Sequence, residues 1–175
     1  EYLERYYGKL EVPNFTGYSD GTVVHINTFH GIIDDTLIDT MSASLNRCFP
    51  ESTGIGMIIP CNIYLIANDE TRSNVISVLG ASSYPPDNLR RYNGAYYIFN
   101  VCTDNYYRGQ GLAKSLMITM LNDLITQGVE QFILEVLPHN TRAYNLYTSL
   151  GFVKVETITM DGKIFDLLSL KITTN

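Results

Sequence analysis

Long apolar runs are missing from this chain of 175 residues. The best candidate, Ile55–Ile66, is interrupted by Gly56, Pro60 and Asn62. It falls short of the roughly 20 residues a membrane-spanning helix needs, so no membrane partner is expected. Cysteine is scarce. Cys48, Cys61 and Cys102 are odd in number and lack C-x-x-C spacing. That pattern suits a reduced, cytoplasmic setting. Histidine is equally thin: His25, His30 and His139 lie far apart, without zinc-ligand spacing, and no metal is expected. Positive charge is also in deficit, with 12 Lys and Arg against 18 Asp and Glu, a net charge of −6. Arg90-Arg91 is the only adjacent basic pair, which argues against a nucleic-acid partner. An acidic surface suits a cationic substrate. No secretory signal pattern is visible, and a start at Glu1 leaves room for an upstream segment.

What is present reads as a folded enzyme-sized unit. A 45% hydrophobic and 17% charged composition fits a soluble globular chain, and the length fits one domain over residues 1–175. Residues 1–20 are aromatic and turn-rich and read as an arm packed on that domain. Thr22–Phe29 reads as a strand. Asp34-Asp35 can cap a helix that carries Leu37, Ile38, Met41, Leu45 and Cys48 at helical spacing and stops at Pro50. Ile63–Ala67 and Val75–Ala81 read as a hairpin through Asn68–Arg72. Tyr84–Gly94 is a turn-rich loop that leads into the strand Ala95–Thr103. A helix follows with two apolar rows: Leu112, Leu116, Met120 and Leu124, then Ala113, Met117, Leu121 and Ile125. Gly128 ends it. The strand Phe132–Leu137, a helix capped at Asn140 or Thr141, and the hairpin Phe152–Thr159 with Lys163–Ile172 complete the order β-α-β-β-β-α-β-α-β-β.

The junction Arg108-Gly109-Gln110-Gly111-Leu112-Ala113 is the chemical focus. Glycines let the main chain approach a ligand, and a helix that starts there presents unpaired N–H groups and a positive dipole end. That is an anion cradle. It is not a P-loop: Lys114-Ser115 is present, but Arg108 and Ala113 stand where both glycines are required. It is not a dinucleotide fingerprint either, because Lys114 stands where the helix must pack on the sheet.

The hexapeptide does satisfy Arg/Gln-x-x-Gly-x-Gly/Ala. After the next strand come Asn140, Ala143, Leu146, Tyr147, Leu150, Gly151 and Phe152, in the register Asn-x-x-Ala-x-x-Leu-Tyr-x-x-Leu-Gly-Phe. With these residues the chain resembles the GCN5-related N-acetyltransferases, or GNAT family, over about Ala95–Val155. The resemblance implies an α/β fold with a mixed, mostly antiparallel sheet of six to seven strands flanked by helices. The two parallel central strands should splay apart. It also implies acetyl transfer from acetyl-CoA directly to a primary amine. Val101, Cys102 and Thr103 would offer backbone groups to the pantetheine. The diphosphate would lie on Arg108, Gly109, Gln110, Gly111, Leu112 and Ala113, with an ionic contact from Arg108, and Asn140 would touch the coenzyme arm as well as cap its helix.

The reaction sets its own demands. An alkyl ammonium titrates near ~10.4 and an α-ammonium near ~8, so the amine must lose a proton before it attacks a thioester. The leaving thiolate needs a proton or a donor, and the oxyanion needs N–H groups. Glu135 alternates with Leu134 and Val136 and points to the opposite sheet face, which makes it the candidate base. Its Leu-Glu-Val setting resembles that of the enzymes that acetylate ribosomal-protein N-termini, a tilt towards a peptide amine. Asp104 and a water relay are the alternatives. Tyr147 is the candidate acid, since the family tyrosine at this position reaches the coenzyme sulfur; Tyr144 is read as packing. An acyl-cysteine at Cys102 lacks a neighbouring base.

The rival of a different class is a catalytically inactive acyl-CoA-binding sensor or interaction module. Monomer and homodimer both remain open. So does the acceptor, which would meet Phe29–Gly56, Tyr84–Gly94 and Thr159–Phe165: a peptide, a polyamine, an amino sugar or an antibiotic.

Overall fold

The computed structural model describes residues 14–31, 35–49, 62–71 and 74–172. The expected contributions of Asp34, Pro50, Cys61 and Arg72, of the arm before residue 14, and of the acceptor segment 50–56 lie outside them.

The strands are β1 (Asn14–Phe15), β2 (Val24–His30), β3 (Ile63–Asn68), β4 (Val75–Ser82), β5 (Tyr96–Thr103), β6 (Gln131–Val136), β7 (Val153–Met160) and β8 (Lys163–Lys171). The helices are α1 (Asp35–Cys48), α2 (Leu112–Thr126) and α3 (Thr141–Ser149). One sheet runs in the order β1-β2-β3-β4-β5-β6-β8-β7. Every neighbouring pair is antiparallel except β5 and β6.

The sheet has eight strands rather than six to seven. The addition is the two-residue β1, where Asn14 and Phe15 pair with His25 and Val24. No sequence period of two can show in so short a strand. It is fixed from its far side: Phe15 meets the Tyr18 ring edge-on at 5.3 Å. Tyr18 is buried and donates its hydroxyl to the Tyr107 carbonyl at 2.6 Å.

Two cores sandwich the sheet. On one face Leu112, Leu116, Met120 and Leu124 of α2 are buried against β3, β6 and α3. On the other face Met41 of α1 packs with Tyr64, Val78, Phe99, Ile133 and Leu167. β3 and β4 are covered on both faces, which is why they read as unbroken apolar runs. The terminal hairpin turns at Asp161 and Gly162, both with positive φ (51° and 75°), the conformation a two-residue turn of this hand requires.

The feature that makes a site is the parting of β5 from β6. They share only Tyr96 with Phe132 and Tyr97 with Ile133. Just beyond, β5 carries an extra residue against β4. Val78 opposes Cys102 while Gly80 opposes Phe99, and Asn100 has φ 55°. A bulge bends the strand that bears it. Here it turns β5 away from β6, and β6 instead continues its pairing with β8 through Glu135 and Val136.

Candidate active site

A cleft of about 500 Å³ opens at this parting. From β5 it is lined by Val101, Cys102 and Thr103, and from the turn by Arg108, Gly109, Gly111, Leu112 and Ala113. From the α3 side come Asn140 and Tyr147. Nine of the ten residues expected to hold the coenzyme therefore line one cavity. The tenth, Gln110, does not: it is exposed and outside the lining. A motif that alternates glycines can turn only some of its side chains and amides inwards, and Gln110 lies between two of them.

Gly109 and Gly111 have φ 83° and 90°. A Cβ built on either meets nothing within 4 Å. The left-handed backbone demands glycine there, and the space before it is left open to a ligand. α2 begins at Leu112, and its first amides face this space with the positive end of the helix dipole. The residues present fit a diphosphate.

Arg108 is engaged within the chain. Its Nε donates to the Thr103 carbonyl at 2.7 Å, and Nη2 lies 3.9 Å from Cys48 Sγ. The guanidinium thus lies against the end of β5 while the residue still lines the cleft. Asn140 caps α3, its Oδ1 accepting from Ala143 N at 3.3 Å. Lys114, Arg142 and Tyr107 also line the cleft and were not among the candidate site residues. For Lys114 the signal was present, because it stands one turn into a helix that starts at an anion cradle.

Tyr147 is 6% exposed, tilted against Phe152 with ring centroids 6.1 Å apart. Burial, with a smaller push from the Glu135 charge, raises its pKa well above the ordinary 10.0. It is fully protonated at neutral pH. A phenol that holds its proton more tightly than a thiol near ~8.5 is suited to donate a hydrogen bond rather than to give up its proton outright.

Glu135 faces the opposite side of the sheet from Leu134 and Val136, with Ile133. Its Oε1 accepts the hydroxyl of Tyr97. Its Oε2 is buried and has no hydrogen-bond partner among the described residues. Burial raises the carboxyl pKa, opposed by the Tyr97 hydroxyl and by the residue's own N–H. A carboxyl moved up towards neutrality is better matched to base work. The alternative base is otherwise engaged: Arg47 Nε and Nη2 grip Asp104 Oδ1 and Oδ2 at 3.1 and 3.0 Å. Tyr144 packs on the core and donates to Asp166 Oδ2 at 3.0 Å.

Cys102 carries no thiol. It is joined to Cys48 by a disulfide across 54 residues, with Cα atoms 5.9 Å apart. This removes the acyl-cysteine mechanism and corrects the expectation of reduced cysteines. The bridge has no sequence motif, because it exists only once the end of α1 has packed against β5.

With this geometry in place, comparison with known proteins decides the family. The model of the acetyltransferase (GNAT) family matches residues 37–152. The chain belongs to the GNAT family. Human N-acetyltransferase 8B is 34% identical over 85 residues, covering 49% of this chain and 37% of that protein. The ribosomal protein bS18-alanine N-acetyltransferase of Haemophilus ducreyi is 38% identical over 58 residues, covering 33% of this chain and 40% of that protein. These matched segments span about two fifths of the curated relatives' length. The crystal structure of the Escherichia coli ribosomal-protein-S18-alanine N-acetyltransferase superposes with a TM-score of 0.66 at 21% identity, covering 86% of this chain and 96% of that one. An aminoglycoside 6'-N-acetyltransferase complexed with coenzyme A gives 0.65 at 16% identity, covering 86% and 98%. At such identities the superpositions establish the GNAT fold, with its splay between parallel strands. No helix among the described residues is long and apolar enough to cross a membrane. No group of metal-ligating side chains occurs among them.

Proposed function

We propose that the protein is an N-acetyltransferase that moves acetyl from acetyl-CoA directly to a primary amine. One observation carries the reading. The cleft where β5 parts from β6 is lined by the glycine turn and Tyr147, and Glu135 stands on β6 two residues past the last pair with β5, outside that lining and on the opposite face of the sheet. The acceptor and the thioester would meet where the strands part.

Acetyl-CoA supplies the activated acyl group. The chain supplies the rest. The turn at Gly109–Gly111 and the first amides of α2 bind the diphosphate. The backbone of Val101–Thr103 orients the pantetheine along the unpaired edge of β5. Glu135 takes the proton of the acceptor ammonium, and Tyr147 donates a hydrogen bond to the leaving sulfur. Holding amine and thioester together in such a gap is worth roughly 7–11 kcal/mol in well-oriented systems.

A peptide α-amine is the acceptor we favour. Two things support it: the Leu134-Glu135-Val136 setting, and the similarity to proteins named as alanine N-acetyltransferases of a ribosomal protein. A cytoplasmic setting sits poorly with the Cys48–Cys102 bridge, since reducing compartments keep such pairs as thiols. Alkylation of protein taken from its native source distinguishes the two states.

The test is thiol release from acetyl-CoA by purified protein with peptide N-termini, polyamines and amino sugars. The reading predicts amine-dependent release, fastest with a peptide. Coenzyme binding without turnover on any amine would favour the inactive sensor instead.

A further inference from the structure

Glu135 has a local environment that the proposed reaction does not by itself require. The side chain lies on β6 two residues past Ile133, the last residue paired with β5. Beyond that point no β5 neighbour stands beside it. A glutamate there has three free torsions and no strand partner to restrain it on that edge. Among the described residues its one side-chain hydrogen bond comes from Tyr97, the residue registered opposite Ile133. The Tyr97 ring is itself fixed. It is 5% exposed, stacked on Phe99 with ring centroids 5.7 Å apart at 23°, and Phe99 meets the Tyr64 ring edge-on at 5.8 Å. Three aromatic rings on β3 and β5 thus end in one hydroxyl aimed at one carboxylate oxygen. The other oxygen, Oε2, is buried and unpartnered among the described residues. A buried carboxylate oxygen without a donor is costly, and a donor from a ligand relieves that cost.

Resting on the base role proposed above, we propose that Tyr97 is a positioning residue: its hydroxyl holds Oε1 of Glu135 so that Oε2 alone receives an N–H of the acceptor ammonium. The site then takes one ammonium in one orientation.

Other groups near the carboxylate do not compete for this role. Tyr147 from α3 senses the Glu135 charge and is itself a proton donor. Glu156 of β7, opposite Leu167, is engaged by Arg91 and Tyr92. From the α1 side, Arg47 is held by Asp104. Asp166 points to the other face, to Tyr144 and Lys154. Tyr97 is the only hydroxyl among the described residues bonded to Glu135.

The experiment compares Tyr97→Phe with the parent protein. Phenylalanine keeps the ring stack and removes only the donor. Donation lowers the Glu135 pKa, so its loss raises the acidic limb of the kcat/KM profile for the amine. A rise of about one pH unit gives roughly a tenfold loss on the acid side and little change on the alkaline plateau. The acetyl-CoA dissociation constant should not move. A carboxyl titration followed by isotope-edited infrared spectroscopy should show the same rise without turnover. Incorporation of 3-fluorotyrosine at position 97, a stronger donor of the same shape, should lower the limb and covers the case in which the Phe variant folds poorly. An unmoved limb and titration in both variants, with Glu135→Gln inactive, overturns the positioning role and leaves the base standing. Full activity in Glu135→Gln overturns the base, and the positioning role with it.

Discussion

Tyr97 and Ile133 are the last residues that β5 and β6 share, and Glu135 is the first side chain of β6 on that face to stand beyond the pairing. The gap starts at this pair. Glu135 stands outside the cleft lining, with Oε1 accepting from Tyr97 and Oε2 buried. The proposed base and the cost of burying a carboxylate therefore fall on the same residue.

That cost can be measured. The folded-state pKa of Glu135 is raised, so the protein loses stability as pH climbs from the unfolded carboxyl value through the folded one. Glu135→Gln should melt higher than the parent at pH 7, with the difference closing below about pH 4. A gain of about 1 kcal/mol would raise Tm by about 2–4 °C. Turnover should fall by roughly 10²-fold or more. Calorimetry across pH checks the first part, and a lower Tm at pH 7 would contradict it.

Tyr147→Phe should leave coenzyme affinity within twofold and slow turnover by roughly 10²-fold. The phenol is buried and protonated far above neutral pH, so no loss of rate from its ionisation should appear up to about pH 9 in the parent enzyme. Steady-state kinetics with parallel binding titrations test this, and unchanged turnover would remove the donor role.

Gly111→Ala should separate binding from folding. A Cβ at φ 90° costs roughly 1–2 kcal/mol of backbone strain but meets no atom within 4 Å. The methyl would instead project into the cradle. The variant should fold, melt a few degrees lower and bind acetyl-CoA at least tenfold more weakly. An unaltered affinity would show that the diphosphate lies elsewhere.

Gly80→Ala should act at a distance through rings. A Cβ there would come within 2.6 Å of Tyr64 Cε1 and 3.0 Å of Phe99 Cε2. The overpacking should cost about 1–3 kcal/mol. It should also reduce turnover, because Phe99 supports Tyr97. A variant with parent-like Tm and rate would mean the rings yield freely.

Reduction should loosen α1 from the cleft wall. In the chain-entropy view a bridge closing 54 residues contributes up to about 4 kcal/mol. A dithiol reductant should therefore lower Tm by several degrees in the parent and leave Cys48→Ser unaffected. Labelling of Cys48 and Cys102 by a thiol reagent before reduction, with one melting curve in both conditions, would remove the bridge from the account.

These tests divide along the line between what could and could not be read from the chain. The glycine turn at the head of α2 was legible because Arg108–Ala113 is contiguous and its glycines fix the backbone by themselves. The α2 rows were legible for the same local reason, as 3.6-residue spacing predicts one buried face, and Leu112, Leu116, Met120 and Leu124 are buried. Asn140 and Tyr147 were reached through a short register. The Cys48–Cys102 bridge, the ring series Tyr64–Phe99–Tyr97 and the fold-back of Arg108 onto Thr103 were not legible. Each joins residues that only tertiary packing brings together. The two-residue β1 was missed because it is shorter than any period that could reveal it.

The central claim is that main-chain groups at Gly109–Gly111 and the start of α2 grasp a diphosphate. Calorimetric titration with coenzyme A and with pantetheine, which lacks the diphosphate, tests it most directly. The account predicts that coenzyme A binds at least 10²-fold more tightly, with the advantage shrinking as salt is added. Equal affinities, or no heat from coenzyme A at millimolar concentration, would contradict it.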